Sequence, residues 1–398
     1  MRYSRITLLI RALAAAAAVA ALVGASASAR PTGNVARGEP VKIGAMTILS
    51  GPTAIIGQET LRGTQFYAGM LNRKNGILGR PIEIIPADDQ NNPTVAVQQA
   101  ARLFQQDRVA GMVGPTATLP GVAIQKLQTD HKIIAVAYQS GGEALTASKN
   151  PYVFRSSVTL QTGFNLMVRY AVRVQKVKSF ASFHWDLASG QSAHQGVEVG
   201  AREYGANLAF SQGLPLATTD FSSAIARARA ANPQVVVIGA PMPFAGVLTK
   251  QIRAAGWNVP IYVWGGFVGT DYFTFAGKDA NGVFVGDTGH WQRANQRKVG
   301  REFVTAFRRE FGRPPNANEL IGADALGILV GGMNRAKSLD ADRVSPAIRR
   351  FGYNGIRLFY QWRPDGNLKS NPVVMARFSN GQLRMLAADV VKATTPKK

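Results

Sequence analysis

The chain has 398 residues, a formal net charge of +23, 46% hydrophobic and 17% charged residues, and no cysteine. That composition excludes a disordered polymer, a disulfide, a thiol nucleophile and a lipid-modified cysteine, and the length suffices for two domains with real cores. The positive excess brings nucleic acid to mind, but the basic residues are scattered, as in Arg227/Arg229 and Arg308/Arg309, without interleaved aromatics on which bases could stack; a solvated basic surface is the expectation, with no nucleic-acid partner.

Arg2 and Arg5 precede an apolar run from Ala12 to Val23, and Ala27-Ser28-Ala29 supplies small residues for cleavage. Residues 1–29 therefore read as a secretory signal peptide, with a mature chain starting near Arg30. A membrane anchor would need about 20 apolar residues, and Arg11 interrupts the run too early for that.

Val41, Ile43 and Ala45 alternate with Lys42 and Gly44, the period of a strand, and the pattern breaks at Ser50-Gly51-Pro52. From about Glu59 to Asn75 the pairs Phe66/Met70 and Tyr67/Leu71 stand at helical spacing, and Gly76 and Gly79 end that stretch before a second apolar run from Pro81 to Ile85. Strand, helix and strand in that order predict a parallel pair. Asn92-Pro93 then opens a helix with Ala96, Ala100, Leu103 and Phe104 on one face. A strand at Val109 to Val113, a loop from Gly114 to Leu119, a helix from Pro120 towards Leu127 and a strand at Ile133 to Ala137 follow. This alternation predicts a doubly wound parallel sheet, with a ligand crevice at the carboxyl ends of its strands.

Near Asn150 to Ser157 the pattern resets, with a strand-like PYVFR leading into a helix that places Leu160, Phe164, Val168 and Ala171/Val172 on one side. A second series has strands at Phe180 to His184, Leu208 to Gly213, Val235 to Gly239, Ile261 to Trp264 and Val283 to Val285. Helices are expected near Gln191 to Tyr204, Phe221 to Ala231 and Phe244 to Ala255, then at Gln296 to Phe311, Asn318 to Ala336 and Arg343 to Phe351. Strands at Leu358 to Trp362 and Val373 to Phe378 close the series, and Lys392 to Lys398 is a polar tail.

The run IGAMTILSGPTAIIGQETLRGTQFYAG, the N-x-x-x-G-I-L-G-R-P-I stretch after it and the DDQ-x-x-P tail together resemble the amino-terminal unit of the periplasmic branched-chain amino-acid-binding family of ABC transporters. The resemblance continues through Val113-Gly114-Pro115-Thr116, Asn150 to Arg155 and Thr219-Asp220-Phe221-Ser222. It implies an α/β fold of two Rossmann-like doubly wound lobes joined by a three-crossing hinge. On it, residues 40–156 plus 288–357 are expected to form the first lobe, and 157–287 plus 358–392 the second. It further implies a monomer free in the periplasm, which traps a small-molecule ligand by closure and delivers it to the permease subunits of an importer. Many members carry a disulfide in the first lobe, which this chain cannot form. A ligand-sensing receptor domain is the alternative of another class.

The loop Gly114 to Thr118 stands directly before a helix, so its N–H groups and the Thr118 hydroxyl can converge on an anion. The resemblance places a ligand carboxylate there, with Thr116, Ala117 and Thr118 as its holders. In Tyr138-Gln139-Ser140-Gly141, Gly141 stands where the family has a threonine, and Ser140 is the candidate substitute. In Trp185 to Gly190, Ser189 takes the place of the usual tyrosine and Trp185 that of the missing aromatic. The loop Val263 to Phe267 lacks the acidic partner that amino-acid-binding members tend to place against the ligand ammonium; nearby Asp271 reads more simply as a helix-start residue. Trp264, Gly266 and Phe267, with Tyr138, His290 and Trp291 adjoining, therefore point to an aromatic or apolar acid, with a branched-chain or other hydrophobic amino acid as the alternative.

An enzyme is not expected. Ser192 lacks the G-x-S-x-G spacing, no paired carboxylates mark a hydrolase, and no phosphate loop occurs. The four histidines, His131, His184, His194 and His290, form no H-x-x-x-H pair, so neither cofactor nor metal is expected. The glycines from Gly327 to Gly332 lie in an apolar helix, where close packing explains them.

Overall fold

The computed structural model describes residues 35–215, 217–268, 272–370, 373–387 and 390; the signal segment, Asp271 and the tail from Lys392 lie outside the described residues. Strand β1 (Val41–Thr47) pairs in parallel with β2 (Ile82–Asp88), from Val41 opposite Ile82 to Thr47 opposite Asp88. The helix between them, Ala54–Asn72, starts earlier than its apolar spacing suggested, because Ile56 and Thr60 are buried as well. β3 (Gly111–Val113), β4 (Ala135–Ala137) and β5 (Val153–Arg155) complete a parallel sheet in the order β2-β1-β3-β4-β5. Because β1 lies between β2 and β3, the connections leave it in opposite directions, and a crevice opens at its carboxyl end.

The second sheet contains β6 (Ser179–Trp185), β7 (Asn207–Leu214), β8 (Val235–Gly239), β9 (Ile261–Trp264) and β10 (Phe284–Asp287). Two strands follow a small ribbon of β11 (Tyr353–Asn354) and β12 (Phe359–Tyr360): β13 (Val374–Ser379) and β14 (Gln382–Ala387). The order is β14-β13-β10-β9-β8-β6-β7, parallel from β7 to β10 and antiparallel beyond. The Val235–Gly239 run is buried throughout, as expected of a central parallel strand covered on both faces. The fold is thus α/β with two lobes, each with its own sheet. The expected helix from Pro120 is instead two short ones, Thr118–Ala123 and Gln125–Asp130, divided at Ile124, whose ψ of −6° opens the turn.

After β10 the chain returns to helices on the first sheet. Helix Ala317–Ala336 lies against Ala54–Asn72 so closely that a Cβ on Gly63 would stand 2.0 Å from the Glu319 carbonyl oxygen. The glycines further along that helix also mark close approach, since a Cβ on Gly327 would meet the Tyr353 hydroxyl at 2.1 Å. Where the chain passes between the lobes, the fully buried Arg357 joins the segments: it donates to Ser156 O (2.7 Å), Thr288 Oγ1 (2.8 Å) and Asp324 Oδ2 (2.9 Å).

Candidate functional site

The carboxyl ends of β1 and β3 meet those of β6 and β8 across a cleft between the sheets. From the first lobe, Thr116, Ala117, Thr118 and Gly141 line it; from the second, Trp185, Ser189, Gly266 and Phe267 do. The Thr116–Thr118 loop is shaped by its neighbours. Gly114 has φ +98°, and a Cβ there would lie 2.0 Å from Met46 O, so only glycine brings the loop this close to β1. Thr116 Oγ1 is 2.6 Å from Thr47 Oγ1, and Thr118 opens the helix after an extended Ala117. Thr118 Oγ1 accepts a hydrogen bond from Gly142 N at 2.9 Å, which leaves its own proton to donate. The first-turn N–H groups beside it have no intrahelical acceptor. The rim is fixed in turn: Asp88 accepts from Leu49 N and Ser50 Oγ, and, against the upward pull of burial, these bonds hold its carboxyl below the usual range.

Several expected residues lie elsewhere. Tyr138 is in the core, its hydroxyl 3.0 Å from Thr64 Oγ1, and burial pushes its pKa far up. Ser140 turns away from the cleft and donates to Pro115 O (2.8 Å) and Ala117 O (3.0 Å), so it braces the Gly114–Thr118 loop instead of replacing the absent threonine. That threonine has no space: a Cβ on Gly141 would stand 2.4 Å from Leu160 Cγ. Trp264 is buried beneath the cleft wall, stacked on Phe164 at 5.8 Å and pressed on Gly163. His290 caps the short helix Trp291–Ala294 through Nδ1, away from the cleft, and burial lowers its pKa to about 4.

Trp185 does face the cleft. Its ring lies so near the next helix that a Cβ on Gly190 would be 2.1 Å from Cδ1, and its buried Nε1–H has no partner. Sequence reasoning missed Gln139. Its Nε2 donates to Asn318 Oδ1 (2.7 Å) and Thr60 Oγ1 (3.2 Å), and Asn318 Nδ2 in turn donates to Glu59 Oε2 (2.8 Å). The carboxylate orients Asn318, Asn318 orients Gln139, and Gln139 Oε1 is left as a buried acceptor without a partner. Ile48, Ile56, Leu160 and Pro241 were also missed. Ile48 and Pro241 follow β1 and β8, so the strand-end rule was a signal for both. No Asp, Glu, Lys, Arg or His lines the cleft among the described residues.

The profile of a family described as periplasmic binding protein matches residues 40–382. The Leu/Ile/Val-binding protein of Escherichia coli (strain K12) is 23% identical over 336 residues, 84% of this chain and 90% of that protein. The solved leucine binding protein of Thermotoga maritima MSB8 superposes with a TM-score of 0.80 at 21% identity, covering 88% of this chain and 98% of its own. A solute binding protein of an ABC transporter from R. palustris, in complex with benzoate, gives a TM-score of 0.79 at 20% identity, covering 88% and 96%.

Proposed function

The chain belongs to the periplasmic binding protein family, and from that premise we propose that it captures a small organic acid with an aromatic or apolar body, by closing its lobes over the ligand. It is a solute-binding protein of the ABC transporter type, not an enzyme. The observation that carries the ligand reading is the cleft wall without ionised groups among the described residues. A carboxylate is served there by neutral donors: the Thr118 hydroxyl, the first-turn N–H groups and the Trp185 indole. An ammonium closed into the same space would be desolvated without a carboxylate to pair with. The walls of Phe267, Leu160, Ile48 and Ile56 suit an apolar body.

One observation favours a second reading, an amino acid of the kind named for the Escherichia coli relative. Gln139 Oε1 needs a donor, and a ligand ammonium would supply one. A hydroxyl on an aromatic acid supplies it equally, without a charge to bury. Calorimetry of the refolded, ligand-free protein with leucine, 2-oxoisocaproate, benzoate and 4-hydroxybenzoate separates the readings. 4-Hydroxybenzoate should bind more tightly than leucine; tightest binding by leucine replaces the organic-acid reading with the amino-acid one.

We further place the protein in the periplasm, as a monomer that meets permease subunits after closure. The first lobe comprises residues 40–156 plus 288 onward and the second 157–287 plus the carboxyl-terminal strands. Its last crossing is best placed after Leu368 instead of at 357/358, because Trp362 Nε1 donates to Arg155 O (2.8 Å) and Arg155 N to Gly366 O (3.1 Å).

A further inference from the structure

His290 and Trp291, absent from the cleft, border a separate cavity of about 540 Å³. Gly265 faces this cavity and Gly266 the cleft, so a single segment divides the two spaces. Its polar lining consists largely of donors. Asn316 caps helix Ala317–Ala336 with Oδ1, which accepts from Glu319 N at 2.9 Å, so its other end is the amide NH2; that Nδ2 is buried and has no partner. His290 is 5% exposed and accepts from Gln292 N through Nδ1 (3.2 Å), which puts its proton on Nε2; that nitrogen lies beside the Leu383 backbone without reaching hydrogen-bond geometry. Arg308 spreads its guanidinium 4.3 Å from the Trp291 ring centroid, and Arg313 pairs with Glu319, a carboxylate already shared with Arg62 at 2.7 Å.

Among the described residues Asp287 is the one acid on the lining; it turns Oδ1 into Thr288 N (2.6 Å) and Gly289 N (3.3 Å) and has Arg357 nearby, so cations and uncommitted N–H donors prevail there. The apolar part includes three aromatic rings: Phe273 and Phe378 pack edge to face at 4.6 Å, and Trp291 lines the same cavity. A ligand that satisfies both parts carries an anionic group on a flat apolar body.

We propose that this cavity is a second binding site for a small aromatic carboxylate, whose acid group is held by Arg308 and Asn316 Nδ2 and whose ring lies among Trp291, Phe273 and Phe378. Buried donors without acceptors are costly, and a carboxylate removes that cost while it neutralises the surplus cation.

Fluorine NMR of the full chain with 4-fluorobenzoate tests the site independently of the cleft. In Thr118→Val, which impairs the cleft, a bound signal should remain. Arg308→Gln and Asn316→Asp, the latter keeping the helix cap while reversing the donor, should each weaken that signal's affinity by at least about tenfold, the loss of one charge-assisted hydrogen bond. Positively charged 4-fluorobenzylamine should give no signal there. If Thr118→Val does not fold, the wild type must show two bound signals, of which Arg308→Gln removes one. A single signal that only the cleft variant affects, or a second signal indifferent to Arg308→Gln and Asn316→Asp, overturns the proposal.

Discussion

Replacing Arg357 by methionine should destabilise the protein more than any cleft substitution, because the guanidinium joins segments distant in sequence without access to water. It bonds Ser156 O, Thr288 Oγ1 and Asp324 Oδ2 at 2.7 to 2.9 Å, and both members of the Arg357–Asp324 pair are fully buried. Methionine matches the stem but removes the charge and every donor. Asp324 keeps the N–H groups of Ile356 (2.6 Å) and Arg357 (3.1 Å) and the Tyr360 hydroxyl (2.7 Å), so its carboxylate is still hydrogen-bonded but no longer paired. Breaking one side of a buried ion pair costs about 3–5 kcal/mol, and the retained bonds to Asp324 place the expected loss near the lower end. The assay is urea unfolding followed by far-ultraviolet circular dichroism, with Asp324→Asn alone and combined with Arg357→Met. The double variant should lose less than the sum of the singles, since no unpaired charge remains. A loss below about 1 kcal/mol for Arg357→Met, or strict additivity, would refute the view that the buried pair holds the hinge segments together.

Thr118→Val should weaken binding of the preferred acid by roughly ten- to a hundred-fold and also lower stability by about 1–3 kcal/mol, because Gly142 N loses its acceptor; Thr118→Ser should retain both properties in calorimetry and thermal melting. Burial raises the pKa of Asp287 to about 7 against the pull of Arg357 and its backbone N–H bonds. The native state therefore binds the proton more tightly than the unfolded chain, and the associated stability is lost as pH rises through that value. Between about pH 6 and pH 8 the wild type should lose roughly 1 kcal/mol relative to Asp287→Asn in paired melting curves; a pH-independent difference would contradict the shift. Two glycines of helix Ala54–Asn72 should behave oppositely. Gly69→Ala meets nothing nearer than Arg73 NH1 at 3.8 Å and should stabilise by about 0.5–1 kcal/mol, whereas Gly63→Ala collides with the Glu319 carbonyl and should destabilise by at least about 1–3 kcal/mol.

The fold was legible because its signals are local and repeated. Val235–Gly239 and Ile261–Trp264 coincide with the strands expected from the apolar runs, and the helices from Ala188 to Tyr204 and from Ala317 to Ala336 differ from expectation by a few residues at one end. The loop from Gly114 to Thr118 was legible as a strand-to-helix junction, because chain order alone places it between β3 and the helix that Thr118 opens. What failed was the choice among aromatics and polar residues of similar character. Trp185 and Trp264 both end strands of the second sheet, yet one faces the cleft and the other packs on Gly163 and Phe164.

By itself the sequence determined most of the order of strands and helices and the restart of a second α/β series, which follow from periodicity and turn residues, whereas β14 (Gln382–Ala387) was not expected and the closure of two lobes around a cleft was implied by the family resemblance. Only the tertiary structure decided which side chains enter that cleft. Such choices depend on partners far away in the chain: Leu160 fills the space that a threonine at Gly141 would need, and Pro115 and Ala117 draw Ser140 inward. Asn318, placed by a helix more than a hundred residues later, turns Gln139 so that its oxygen is left without a donor. A side chain's direction is set by steric fit and hydrogen bonds across these distances, and no local pattern records either.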